Sequence, residues 1–182
     1  PLYSSAASDV YKRQVVDYQN DFVSGSLGFE KAKELDSEIA NLIEKYHNNS
    51  DDVVFTLDTH YDDYMNTNEG KSLPVPHCIK GTIGHNLYGK VSHSVKESDL
   101  LFEKNTFGSD KLFEYLKNNR YSSIELVGVV TNICVISNAV IAKTAQPETE
   151  IIVNKNLVAS NDDKLNDEAL SVMSSFQIKI TE

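Results

Sequence analysis

From Val15 onward, short apolar runs alternate with stretches in which apolar residues recur every three or four positions. The runs "VVDY", "DVVFTLD", "DLLFEK", "SIELVGVV" and "EIIVN" have the length and β-branched content of strands, and "FQIKI" adds a sixth near the C-terminus. After the first run, Ala32, Leu35, Ile39, Leu42 and Ile43 share one face of a helix expected over about 30–47. Further helices are expected over about 109–118, 132–144 and 162–174, with "SND" as a capping cluster ahead of the last. Near-continuous apolar strands separated by helices predict an α/β fold. The expected form is a three-layer α-β-α arrangement around a mostly parallel central sheet of about six strands.

Sheets of this kind place their sites at the carboxyl ends of strands. That rule singles out Asp17, then Asp58 with His60, then Lys104, then Cys134 in "GVVTNIC". Taken one at a time, each has an ordinary explanation: a turn aspartate, a surface lysine just past a strand, a core cysteine on the apolar helix "NICVISNAVIA". Taken together, they can form a nucleophilic machine, with a thiolate, a lysine that stabilises it and a carboxylate that shuttles its proton. A cysteine where a strand passes into a helix also meets positive backbone potential, which predicts a lowered thiol pKa. Buried Asp17 and Lys104 would neutralise each other. Such a set suits attack on an amide or related acyl carbon.

The connection over about 59–98 is longer than ordinary loops and is therefore functional or disordered. With the strand end before it, it carries "DTHYDDYMNTNEGKSLPVPH". Asp58, His60, Glu69 and His77 have the donor types of a metal site, and residue types alone leave polar decoration of a solvated loop open as the alternative.

A chain of 182 residues, 40% hydrophobic and 24% charged, fits one globular domain. A net charge of −10 and a pI near 4.9 argue against nucleic acid and anionic membranes as partners. No apolar run approaches the roughly 20 residues of a membrane span, and no basic-then-apolar leader opens the chain. Only two cysteines occur, Cys78 and Cys134, which suits a reducing compartment, so a cytoplasmic protein is expected. The opening "PLYSSAASDVYKRQ" resembles the translation of a sequencing adapter more than a natural arm. Residues 1–14 are accordingly expected to be a non-native extension, and 15–182 the single domain.

The stretches "VVDYQNDF", "DTHYDDYMNTNEGKSLPVPHC", "EKNTF" and "GVVTNICV" occur in the order of the isochorismatase-like cysteine hydrolases, and within them resemble the nicotinamidases. The resemblance runs from Val15 to the end of the chain. It implies a catalytic triad of Asp17, Lys104 and Cys134, and a non-proline cis peptide at Val129–Val130. It also implies an oxyanion hole formed by the backbone N–H groups of Val130 and Cys134. Phe22, Leu27 and Phe107 are implied as walls around a flat aromatic ring; some relatives carry a tyrosine in place of Phe107 and a bulky aromatic where this chain reads "LPVP". Asp58, His60, Glu69 and His77 fall on the positions that hold one divalent metal ion per chain. Two imidazoles and two carboxylates suit zinc first, with manganese or iron(II) as alternatives.

The activity implied is hydrolysis of nicotinamide to nicotinate and ammonia in NAD salvage, through a thioester on Cys134. Relatives are often homo-oligomers, and no stretch of this sequence marks an interface. Two alternatives stand beside this reading. One is a metal-free amidase of the same family acting on a ureido or carbamoyl compound. The other is a catalytically silent metal-binding scaffold.

Overall fold

A computed structural model describes residues 11–182. Its six strands are β1 (Tyr11–Val16), β2 (Asp52–Asp58), β3 (Leu100–Lys104), β4 (Ser123–Val129), β5 (Glu150–Ala159) and β6 (Lys179–Thr181). They form one sheet in the order β3-β2-β1-β4-β5-β6, and every pairing is parallel. The helices are α1 (Asn20–Val23), α2 (Glu30–Glu34), α3 (Asp36–Asn48), α4 (Asn68–Ser72), α5 (Gly89–His93), α6 (Asp110–Asn118), α7 (Ile136–Ala145) and α8 (Asp163–Ser175). A single π-helical turn, Thr131–Val135, leads into α7. The helix expected over 30–47 is divided at Leu35, between α2 and α3. The expected cap of α8 forms, with the Asp162 carboxylate accepting from Leu165 N–H at 3.0 Å.

Alternation along the strands sends neighbouring side chains to opposite faces. Val15, Val53 and Phe55 pack with Ile39 and Ile43 of α3, while Val16, Val54 and Leu126 pack with Leu112 of α6, Ala139 of α7 and Met173 of α8. Two apolar cores therefore sandwich the sheet, which is the three-layer arrangement expected. Because β2 and β4 flank β1 on either side, the chain reverses its direction of progress across the sheet beside β1, and a crevice opens at the strand ends there. β1 and β4 lie unusually close: a Cβ at Gly128 would fall 2.2 Å from the Val16 carbonyl oxygen, and Gly128 has φ +112°. Only glycine fits that register.

The expected boundary at Val15 falls inside β1, since Lys12–Gln14 already pair with both β2 and β4, and Tyr11 with β4. The rest of the proposed extension, residues 1–10, lies outside the described residues. Lys12, Arg13 and Gln14 are fully buried at the start of the most central strand. Arg13 pairs with Glu125 and stacks on Tyr46, and Lys12 lies 3.9 Å from the centre of the Tyr115 ring. Burial, only partly opposed by Asp52, brings the Lys12 pKa down to about 7. Among the described residues neither amide atom of Gln14 has a hydrogen-bond partner, and a buried unsatisfied polar group costs about 1–3 kcal/mol. Gln14→Leu should therefore raise the melting temperature by about 2–8 °C, with activity unchanged. A thermal melt showing a drop would mean that the Gln14 amide is satisfied in solution.

Candidate active site

Four strand ends supply the first cluster. Asp17 follows β1 with φ +45°, fixed by its N–H to the Thr56 carbonyl at 3.1 Å and by the Thr56 hydroxyl on its carboxylate at 2.8 Å. Asp58 and Lys104 are register partners at the ends of β2 and β3. Lys104 Nζ lies 2.6 Å from Asp17 Oδ2, 3.5 Å from Asp58 Oδ1 and 3.7 Å from Cys134 Sγ. Cys134 sits on the π turn after β4, immediately beyond a cis Val129–Val130 peptide bond. All three members expected in a triad thus meet, each nearly inaccessible to solvent.

Their electrostatics correct one expectation. The Cys134 pKa is not lowered but raised well above that of a free thiol, first by burial and then by the Asp17 charge, with Lys104 opposing both. The direction favours the protonated thiol, with the Asp17 carboxylate beside it as the group that can accept its proton. Burial raises Asp17 as well, against the pull of Lys104. For Lys104, burial acts downward, but Asp17, Cys134 and Asp58 outweigh it and hold the ammonium charged. The arrangement is a thiol paired with its proton acceptor, both under a fixed positive charge.

The second cluster is Asp58, His60, Glu69 and His77, whose donor atoms all lie within 4.8 Å of one another. His60 Nε2 and His77 Nε2 lie 3.0 and 3.3 Å from Asp58 Oδ2, and each lies 3.6 Å from Glu69 Oε1. The long connection is not disordered. Its chain pairs His60 with Ile79 in a short parallel bridge, which brings His77 back beside His60. Thr67 caps α4 by accepting from Gly70 N–H at 3.0 Å, and this first turn presents Glu69. His77 Nδ1–H donates to the Val75 carbonyl at 2.8 Å, leaving Nε2 as a lone-pair donor toward the cluster. His60 Nε2 is buried and, among the described residues, lacks a well-formed hydrogen bond despite its nearness to Asp58. An orphaned imidazole nitrogen facing two carboxylates and a second imidazole fits a divalent cation.

A cavity of about 430 Å³ joins the two clusters, within the usual range for small-ligand sites. Cys134, Asp58, Glu69 and His77 line it, and so do Val130 and the three expected wall residues Phe22, Leu27 and Phe107. Phe22 packs against the His77 ring at 5.4 Å between centroids, while Phe107 is 45% exposed at the rim.

The model of the isochorismatase domain matches residues 15–182. The chain belongs to the isochorismatase family. An isochorismatase family protein of Bacillus subtilis, PncA, is 34% identical over 156 residues, covering 80% of this chain and 84% of its own length. The crystal structure of nicotinamidase/pyrazinamidase PncA from Bacillus subtilis superposes with a TM-score of 0.85 at 29% identity, over 95% of this chain and all of that one. A pyrazinamidase of Pyrococcus horikoshii, solved in complex with zinc, shares the fold with a TM-score of 0.83 at 23% identity, over 94% and 98% of the two chains.

Three residues of this family member escaped the sequence reading. Gln19 is fully buried and clamps the Asp58 backbone from both sides: Oε1 accepts its N–H at 2.7 Å, and Nε2 donates to its carbonyl at 2.9 Å and to that of His85 at 2.8 Å. Tyr64 places its ring edge-on to His60 and His77, at 4.7 and 5.1 Å. Asn138 donates to the carbonyls of Cys134 and Phe107 and accepts from Ser109 N–H, tying the nucleophile's turn to the cavity wall. The one available signal was an amide or aromatic beside a candidate: Gln19 two residues after Asp17, Asn138 one helical turn after Cys134.

Without a cation, the second cluster makes stability depend on pH. Burial pulls His60 and His77 down, but Asp58 and Glu69 more than reverse this, to about 9 and about 10. Both values lie above the roughly 6.5 of an unfolded histidine. The native state therefore holds extra protons above that point, so this stabilisation is complete below pH ~6.5 and is lost as pH rises through about 9–10. Chelator-treated protein should show a denaturation midpoint that falls steadily across that window. Zinc-loaded protein should resist the fall, because the ion replaces those protons. Identical profiles with and without zinc would mean that the imidazoles hold no ion.

Proposed function

We propose that this chain is a metal-dependent cysteine amidohydrolase that converts nicotinamide to nicotinate and ammonia, a reaction of NAD salvage in the cytoplasm. The observation that carries the reading is an apolar-walled cavity lined both by Cys134, whose thiol lies beside buried Lys104 and Asp17, and by three of the four cation donors, Asp58, Glu69 and His77. The metal is argued from the fit of the donor set, and from the zinc complex of the Pyrococcus pyrazinamidase.

Phe22, Leu27 and Phe107 hold the flat ring by apolar contact and exclude water from it. Asp58, His60, Glu69 and His77 would hold a divalent ion, which would supply Lewis-acid character toward the ring nitrogen. Ring binding brings the carboxamide carbon to Cys134. Asp17 takes the thiol proton as Sγ attacks, and the oxyanion meets the backbone N–H groups of Val130 and Cys134. Asp17 returns that proton to the departing nitrogen, which leaves as ammonia. A water then gives its proton to Asp17 and adds to the thioester, releasing nicotinate and restoring the thiol. Lys104 keeps its charge throughout and balances Asp17 and the nascent thiolate.

Ammonia release from nicotinamide, pyrazinamide and a ureido compound, with metal analysis on the same sample, tests this directly. Turnover of the pyridine and pyrazine amides with about one metal ion per chain is the expected result. Preference for the ureido compound by metal-free protein would transfer the chain to the other branch of the family, and no turnover at all would leave a scaffold.

A further inference from the structure

The four cation ligands form a partition between two cavities. Asp58 and His77 face only the substrate cavity, His60 faces only a second cavity of about 360 Å³, and Glu69 lines both. The two spaces differ in chemistry. Beyond the ligands and the nucleophile, the substrate cavity is walled mainly by apolar side chains such as Phe29, Leu73 and Ile133. Beyond His60 and Glu69, the second is walled by Asp63, Asn68, Asn105 and the threonines Thr59, Thr67 and Thr106, with the rings of Tyr61 and Tyr64 beside them and no lysine or arginine among its lining residues. Asp63, Asn68, Asn105 and Thr106 are exposed, so this space communicates with solvent.

We propose that the divalent cation is loaded and exchanged through this second, polar cavity rather than through the substrate cavity, an inference that rests on the metal-dependent reading above. A hydrated cation crossing an apolar slot must shed its water with nothing to replace it. Along the polar route, carboxylate, amide and hydroxyl oxygens replace water ligands one at a time, as hard donors do. The negative charges of Asp63 and Glu69, focused by low-dielectric walls, concentrate cations at its mouth. His60 is the first imidazole met on this path, and Glu69 can swing between the two sides because it borders both. The consequence is functional: an ion can be exchanged while substrate or the acyl group fills the other cavity.

The test is the rate at which chelator-stripped protein takes up cobalt(II), followed by visible absorption in a stopped-flow instrument. Four forms are compared: the parent, the parent alkylated at Cys134 with N-phenylmaleimide, Thr106→Trp and Asp63→Asn. Alkylation fills the substrate cavity and should change the uptake rate by no more than about twofold, whereas Thr106→Trp should slow it about tenfold and Asp63→Asn about threefold, the last difference vanishing at high salt. All forms should reach the same final cobalt content. Asn105→Trp, at another point of the same wall, stands in if Thr106→Trp melts early. Uptake blocked by alkylation, or unaffected by the wall variants, would overturn the route while leaving the metal site intact. Failure of every form to bind cobalt would overturn the metal reading and the route with it.

Discussion

Cys134→Ala should lose nicotinamide hydrolysis by about 10⁴-fold or more while still binding about one metal ion per chain. The two clusters meet in one cavity but share no ligand atom with the thiol: Sγ contacts Lys104 and Asp17, and the four cation donors come from Asp58, His60, Glu69 and His77. His60→Ala is the complementary variant. It removes one of four donors and should weaken metal binding by about 100-fold or more, since even loss of a partner outside the ligand shell costs 10–100-fold. The thiol and its proton acceptor stay in place in that variant, so a carboxamide lacking a ring nitrogen should still be cleaved slowly. Metal content and single-turnover hydrolysis on both proteins separate the roles. A metal-free Cys134→Ala protein, or a fully active metal-free His60→Ala protein, would sink the division of labour.

Lys104→Met should cost about 10³-fold in activity and also several degrees of melting temperature. Lys104 Nζ is the positive partner of two buried carboxylates, Asp17 at 2.6 Å and Asp58 at 3.5 Å. Removing one partner of a buried ion pair typically costs about 3–5 kcal/mol, because the remaining charge is left without compensation. Asp17, already raised by burial, would then rise further and take up a proton. A protonated Asp17 cannot accept the thiol proton, so Cys134 alkylation at neutral pH should slow in step with turnover. Lys104→Arg should keep most of the stability but little of the activity, because a planar guanidinium cannot occupy the same point. Alkylation of Lys104→Met as fast as that of the parent would show that the lysine does not govern the thiol.

Much of the scaffold was legible because its signals are local. Five apolar runs, a C-terminal sixth and an acidic cap ahead of α8 follow directly from period and residue type, and the strand-end rule picked out Asp17, Asp58, Lys104 and Cys134 before any contact was known. What stayed hidden depends on contacts between distant segments. The Gln19 clamp spans 39 residues to Asp58, and its place two residues after Asp17 does not by itself distinguish it from a helix-capping amide. The thiol expectation failed for a related reason. A helix start favours a thiolate, but burial first and the Asp17 charge second outweigh it, and both arise only when the strands pair and β1 meets β4. The chain at Leu35 keeps its apolar spacing and still divides into two helices, since periodicity reports a face and not continuity.

The covalent step is tested most directly by trapping. Zinc-loaded protein mixed with nicotinamide and quenched in acid within the first turnover should carry a nicotinoyl group on the peptide containing Cys134. With hydroxylamine present, nicotinohydroxamate should form at the expense of nicotinate, as a thioester requires. Neither product should arise from Cys134→Ala. Ammonia released by the parent with no adduct on Cys134 and no hydroxamate at any time would contradict a cysteine nucleophile.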